Sequence, residues 1–173
     1  MMFSRLVVSS ALAGLVFLCL PQLANAADRG PSTPEERKQA LVVIHDWQAD
    51  PLGPNAKDQF GQVLKFFAAV PDLTVHMCTI LDKLPKGDKK DSSIIVGGEF
   101  MAQAAFALER TDKSEDLLAE YETGVEGALR IYQNLVKANP KDDNSYLDEL
   151  VQRREAGTLA EYVKGRASAS CKK

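Results

Sequence analysis

The sequence predicts an all-α, single-domain bundle of six or seven amphipathic helices around one central apolar helix, for three reasons. Apolar residues recur at spacings of three and four along most of the chain, which is the period of one helix face. Start and stop signals such as Thr33-Pro34-Glu35-Glu36 and Asn139-Pro140 bracket those stretches. No segment reads convincingly as a strand.

The N-terminus carries an address. Arg5 precedes a nearly unbroken apolar run from Leu6 to Leu20, Pro21 breaks it, and Ala24-Asn25-Ala26 supplies small residues. That is the three-part pattern of a secretory signal, residues 1–26, cleaved between Ala26 and Ala27. A membrane-spanning helix wants about 20 apolar residues, more than this run offers. Cys19 lies near the place of a lipidated cysteine, but Leu20-Pro21-Gln22 lacks the small residue such a site needs next. Removing 26 of the 173 residues leaves 147, enough for one domain. A polar leader (27–32) then precedes a helical domain (33–173).

The processed chain has 20 basic and 24 acidic side chains, a net of −4. No basic stripe is present to neutralise a run of phosphates, so nucleic acid is not an expected partner. No second long apolar segment exists, so no membrane span is expected after cleavage. The expected location is periplasmic or extracellular. Two cysteines remain, Cys78 and Cys171, and an even count in an exported chain reads as a disulfide. Such a bridge would tie the C-terminal tail to the middle of the domain and contribute about 2–4 kcal/mol.

The first helix opens on the Thr33 capping signal, carries Leu41, Ile44 and Gln48 beside Val43 and Trp47, and stops at Asp50-Pro51. Phe60, Val63, Leu64 and Phe67 form the apolar face of the second. Pro71 ends it, and Leu73, Met77, Ile80, Leu81 and Leu84 predict a third. A polar loop follows over Pro85 to Asp91. From Ile94 to Leu108 the chain is apolar on nearly every side, which suits the middle of a bundle, with Gly97, Gly98, Ala102 and Ala105 for close helix approach. The β-branched Ile94 to Val96 make a strand pair the alternative there. The longest helix is expected from about Ser114 to Ala138, where Gly124 and Gly127 each cost roughly 1 kcal/mol against alanine. Tyr146 to Val151 predict a short helix ending near Gly157, and Thr158 with Glu161 reads as a capping box opening the last.

Several motifs fail on their surroundings. Ile95-Val96-Gly97-Gly98 matches the start of mature trypsin-like proteases in letters, without the strands, serine turn or preceding basic residue. Gly97-Gly98-Glu99-Phe100 is one acidic residue short of the diguanylate cyclase signature and lies in a helical pattern. His45-Asp46 lacks the further histidines of a metal phosphohydrolase, and a half-buried helix residue is the expectation for His45. His76-Met77-Cys78 offers three soft donors in a row, but consecutive helical residues diverge by about 100°. No metal or cofactor is expected. Glu35, Glu36, Glu115, Asp116, Asp148 and Glu149 fall where helix-start chemistry explains them. Glu99 is the exception, an acid in the apolar helix with Gln103 one turn on, and a narrow polar seam is the expected reading.

Ala49-Asp50-Pro51-Leu52-Gly53-Pro54, Val70-Pro71-Asp72 with Val75 and Cys78, Ala128 to Gln133, and Leu147 to Leu150 together resemble a group of uncharacterised exported bacterial helical proteins, a resemblance that implies no activity. Ala128 to Pro140 is also similar to the second helix of a tetratricopeptide unit, although such arrays need several repeats of about 34 residues. With no catalytic constellation, the expected function is non-enzymatic binding of a protein or peptide. The alternative is a carrier of a small apolar ligand or metal, in a pocket of Trp47, Phe66, Phe67, Met77, Glu99, Phe100, Met101 and Gln103.

Overall fold

A computed structural model describes residues 29–84, 90–110 and 116–171. The expected secretory signal (1–26) with Cys19, the first two residues of the expected leader, loop residues 85–89 and the helix-start residues Ser114 and Glu115 lie outside the described residues.

Six α-helices account for the described fold: α1 (Pro34–Ala49), α2 (Ala56–Ala69), α3 (Lys90–Glu109), α4 (Leu117–Ala138), α5 (Ser145–Glu155) and α6 (Leu159–Ser170). Short 3₁₀ turns lie at Thr79–Leu81 and Pro140–Asp142, and no strand occurs among the described residues. Ile94 to Val96 are helical, and α3 begins earlier than the apolar run, taking in Lys90 and Asp91.

Local chemistry sets most helix ends. The Thr33 hydroxyl accepts the Glu36 N–H at 3.2 Å, and the Glu36 carboxylate accepts the Thr33 N–H at 2.9 Å, a complete capping box. Asp116 caps α4 through the Ala119 N–H at 3.0 Å, and Asn144 caps α5 through Tyr146 and Leu147. The expected box at Thr158 does not form. The Thr158 hydroxyl donates to the Arg153 carbonyl at 3.3 Å, because Gly157, at φ 70, turns the chain back onto the end of α5.

α3 packs mainly on α4 and also on α1, whereas α4 packs on α3, α5, α6 and both 3₁₀ turns, so the central place expected of α3 falls to α4. Glycine makes the α3–α4 contact possible. A Cβ on Gly98 would lie 2.5 Å from Ile131 Cγ1, and one on Gly127 would lie 2.7 Å from the Gly98 carbonyl oxygen. These helices therefore touch nearly backbone to backbone, which offsets the helix-weakening effect of glycine in α4. Ile44, Met101, Leu129, Leu147 and Leu150 are fully buried around this contact.

One predicted helix is absent. From Val70 to Cys78 the chain runs as a non-helical strap, extended at both ends, before the 3₁₀ turn at Thr79–Leu81. Long-range bonds take the backbone and side chains that a helix would use internally. Asp72 accepts the Ser32 N–H and hydroxyl at 2.8 Å each and pairs with Arg37 at 2.8 Å. The His76 N–H goes to Glu120 Oε1 at 2.7 Å, with the imidazole Nδ1 3.0 Å from Oε2. Cys78 is paired with Cys171 across a Cα–Cα distance of 5.6 Å, joining the strap to the end of α6. Leu73 and Val75, two residues apart, both pack on the core, as an extended chain allows.

Candidate functional site

The residues expected to line a pocket divide into three groups. Trp47, Met101, Glu99 and Gln103 are buried, Phe66, Phe67 and Phe100 are half-buried, and Met77 is 47% exposed on the strap. The exposure of Met77 removes it from a buried lining, because the helix expected to turn it inward does not form. Phe60, absent from the expected set, joins the aromatic residues. Its ring centroid lies 6.0 Å from Trp47 and 5.4 Å from Phe100, with Phe67 6.3 Å from Phe100 and Phe66 5.6 Å from Phe67. α2 supplies Phe60, Phe66 and Phe67, and α3 supplies Phe100, so the cluster fills the angle between those helices. His45 is exposed rather than half-buried, lying off the Ala40, Ile44 and Trp47 stripe that α1 buries.

Glu99 is 2% exposed and Gln103 is fully buried. Among the described residues, Glu99 Oε1 and both amide atoms of Gln103 have no hydrogen-bond partner. Burial alone pushes the Glu99 carboxyl up to about 7. Gly124 of α4 makes room for the amide, since a Cβ there would come within 2.6 Å of Gln103 Nε2. The expected polar seam is thus two buried polar side chains on one helix face, with the Gln103 amide bonded to neither Glu99 nor the backbone of α4.

A second place was not legible as a site. Between α1 and α2 lies an open cleft of about 200 Å³, lined by Glu36, Gln39 and Ala40 from α1 and by Gln62, Val63 and Phe66 from α2. The helices present these residues at spacings of three and four, so each contributes one face. Ala40, Val63 and Phe66 make the cleft apolar, while the exposed Gln39 and Gln62 put carboxamides on it. The guanidinium of Arg29 lies at its edge, against two of the lining residues. Arg29 pairs with Glu36 Oε1 and lies 5.9 Å from the centroid of the Phe66 ring. The Glu36 carboxyl is held below its ordinary range by the Thr33 N–H first, with burial opposing it and the Arg29 charge adding a smaller downward effect. Sequence reading explained Glu36 by its capping role alone. The signal it lacked was the antiparallel pairing that sets Phe66 opposite it.

Among the described residues, no group of three or more His, Cys, Asp or Glu side chains could hold a metal ion, and no helix is long and apolar enough to cross a membrane. Comparison with protein families, with characterised proteins and with solved structures finds nothing that matches this chain.

Proposed function

We propose that the chain is an exported, non-enzymatic helical module that binds a peptide segment of a partner protein in the cleft between α1 and α2. The cleft carries this reading. It offers a partner an apolar floor with carboxamides at its edge, and a carboxamide both donates to and accepts from a peptide main chain. Exposed Val42 on α1 and Leu64 on α2 add apolar surface to the same two helices. Export is supported by the secretory pattern at the N-terminus and by the Cys78–Cys171 pair, since disulfides persist in oxidising compartments.

The test is peptide selection followed by mapping. Peptides selected from a random library against the protein should shift the amide resonances of Gln39, Ala40, Gln62, Val63 and Phe66. Selected peptides that leave these five unmoved and perturb another face would overturn the reading.

The unpartnered atoms of Glu99 and Gln103 favour a second reading, a carrier that holds a small molecule beside them. Buried polar groups are usually satisfied, so three such atoms within one helical turn call for an explanation. Native mass spectrometry of protein from the exported fraction separates the two. A mass excess lost on denaturation, and absent from Glu99→Gln, supports the carrier, and a bare monomer counts against it.

A further inference from the structure

We infer that the α1–α2 cleft takes an arginine side chain of its peptide partner at the edge formed by Glu36 and Phe66, where the chain's own Arg29 now lies. This inference rests on the peptide-binding reading of the cleft and adds the chemistry of the occupant.

Arg29 joins the two walls of the cleft. Glu36 belongs to α1 and Phe66 to α2, and one guanidinium pairs with the first while lying over the ring of the second. A carboxylate beside an aromatic face selects a guanidinium over an ammonium. The planar group sends its donors to the carboxylate in its own plane and stacks through its face, which lysine cannot do. The carboxylate is also positioned beforehand. Its Oε2 is held by the Thr33 N–H at 2.9 Å in the capping box, which leaves Oε1 for the guanidinium.

Arg29 is poorly fixed as the permanent occupant. Both members of its pair are about a third or more exposed, at 32% and 41%, and such pairs hold weakly. The leader is anchored nearby, at Ser32 on Asp72, so Arg29 stays close without being locked in the cleft. A peptide bearing arginine can make the same two contacts and also use the exposed carboxamides of Gln39 and Gln62. The leader thereby acts as a weak internal competitor.

The experiment titrates acetyl-AARAA-amide, with lysine- and citrulline-containing counterparts and free arginine, into the purified protein by calorimetry. The arginine peptide should bind in preference to all three, and about two- to six-fold more tightly to Arg29→Ala, as removal of a weak competitor requires. Glu36→Gln keeps a capping side chain and removes the charge, and should weaken binding about two- to five-fold. Phe66→Leu should do the same without touching the cap, and thermal melts confirm that each variant is folded. Equal binding of the lysine or citrulline peptide overturns the inference, as does no gain in Arg29→Ala. Free arginine binding as tightly as the peptide overturns the commitment to a peptide source. If library-selected peptides occupy the cleft without regard to arginine, this inference fails while the peptide-binding reading stands.

Discussion

Along the strap, Asp72 is bonded to Ser32 and Arg37, Glu120 receives both the backbone and the ring of His76, and Cys78 is paired with Cys171. Between α3 and α4, Glu99 Oε1 and both amide atoms of Gln103 have no partner among the described residues. The strap gives up helical backbone bonds and recovers them through long-range polar contacts. The α3–α4 contact stays helical and leaves these side-chain atoms unsatisfied, in an interface where Gly124 makes room for the Gln103 amide without supplying it a bond. An unmade buried hydrogen bond costs about 1–3 kcal/mol, so the centre stores a cost that the rim avoids. Polar residues therefore mark different things in the two regions. At the rim they hold the fold, and in the centre they oppose it.

The largest test of this contrast breaks the strongest tie of the strap. Cys78→Ser with Cys171→Ser should lower unfolding free energy by up to about 4 kcal/mol, read from urea denaturation, because the bridge closes a loop with a sequence separation of 93. The core around α3 and α4 should keep its near-ultraviolet dichroism.

The next test reads the central acid through pH. The Glu99 carboxyl is raised from 4.5 to about 7 in the folded state, so the fold binds its proton more tightly than the unfolded chain does. Its contribution is therefore complete below about pH 4.5 and is lost as pH rises through about 7. Relative to Glu99→Gln, the wild-type chain should lose roughly 3 kcal/mol between about pH 4.5 and 8. Parallel curves for the two proteins would mean that Glu99 is ionised or solvated in the fold. Asp72 runs the other way. Burial acts to raise its carboxyl, but the Ser32 bonds and Arg37 hold it below the ordinary value, so its share is lost on acidification.

A smaller effect is expected from Gly127→Ala. The added Cβ meets the Gly98 carbonyl oxygen at 2.7 Å, and backbone cannot give as a flexible side chain can. A loss of about 2 kcal/mol should follow, despite the better helix propensity of alanine. Smallest is the pair Thr33→Ala and Thr158→Ala. The first removes a working cap and should cost about 1 kcal/mol. The second removes a hydroxyl that caps nothing, and should fall within about 0.5 kcal/mol of wild type.

Much of the fold was readable because its cause was local. The Thr33 box, the stop at Asp50-Pro51 and the apolar α3 depend on residues within a turn or two of one another. The Thr158 box failed for an equally local reason, since Gly157 turned its hydroxyl toward Arg153. The strap was misread because Leu73, Met77, Ile80 and Leu84 fit a helical period, while Leu73 and Val75 also fit an extended one. Distant partners in α1, α4 and α6 decided between them. Of the expected pocket, the burial of Glu99 and Gln103 followed from an apolar helix. Phe60 and the α1–α2 cleft did not, because they depend on how two helices face each other.

Taken alone, the sequence determined the fold class, the use of glycine in the α3 contact and the cysteine pair. These follow from hydrophobic period, steric size and parity, which need no knowledge of what lies across the chain. Only the tertiary structure decided that residues 70–78 are a strap, that the Gln103 amide has no partner among the described residues, and that Arg29 bridges Glu36 and Phe66. Each of these depends on groups distant in sequence or on the neighbouring helix, and hydrogen bonds and stacking act only at contact distance.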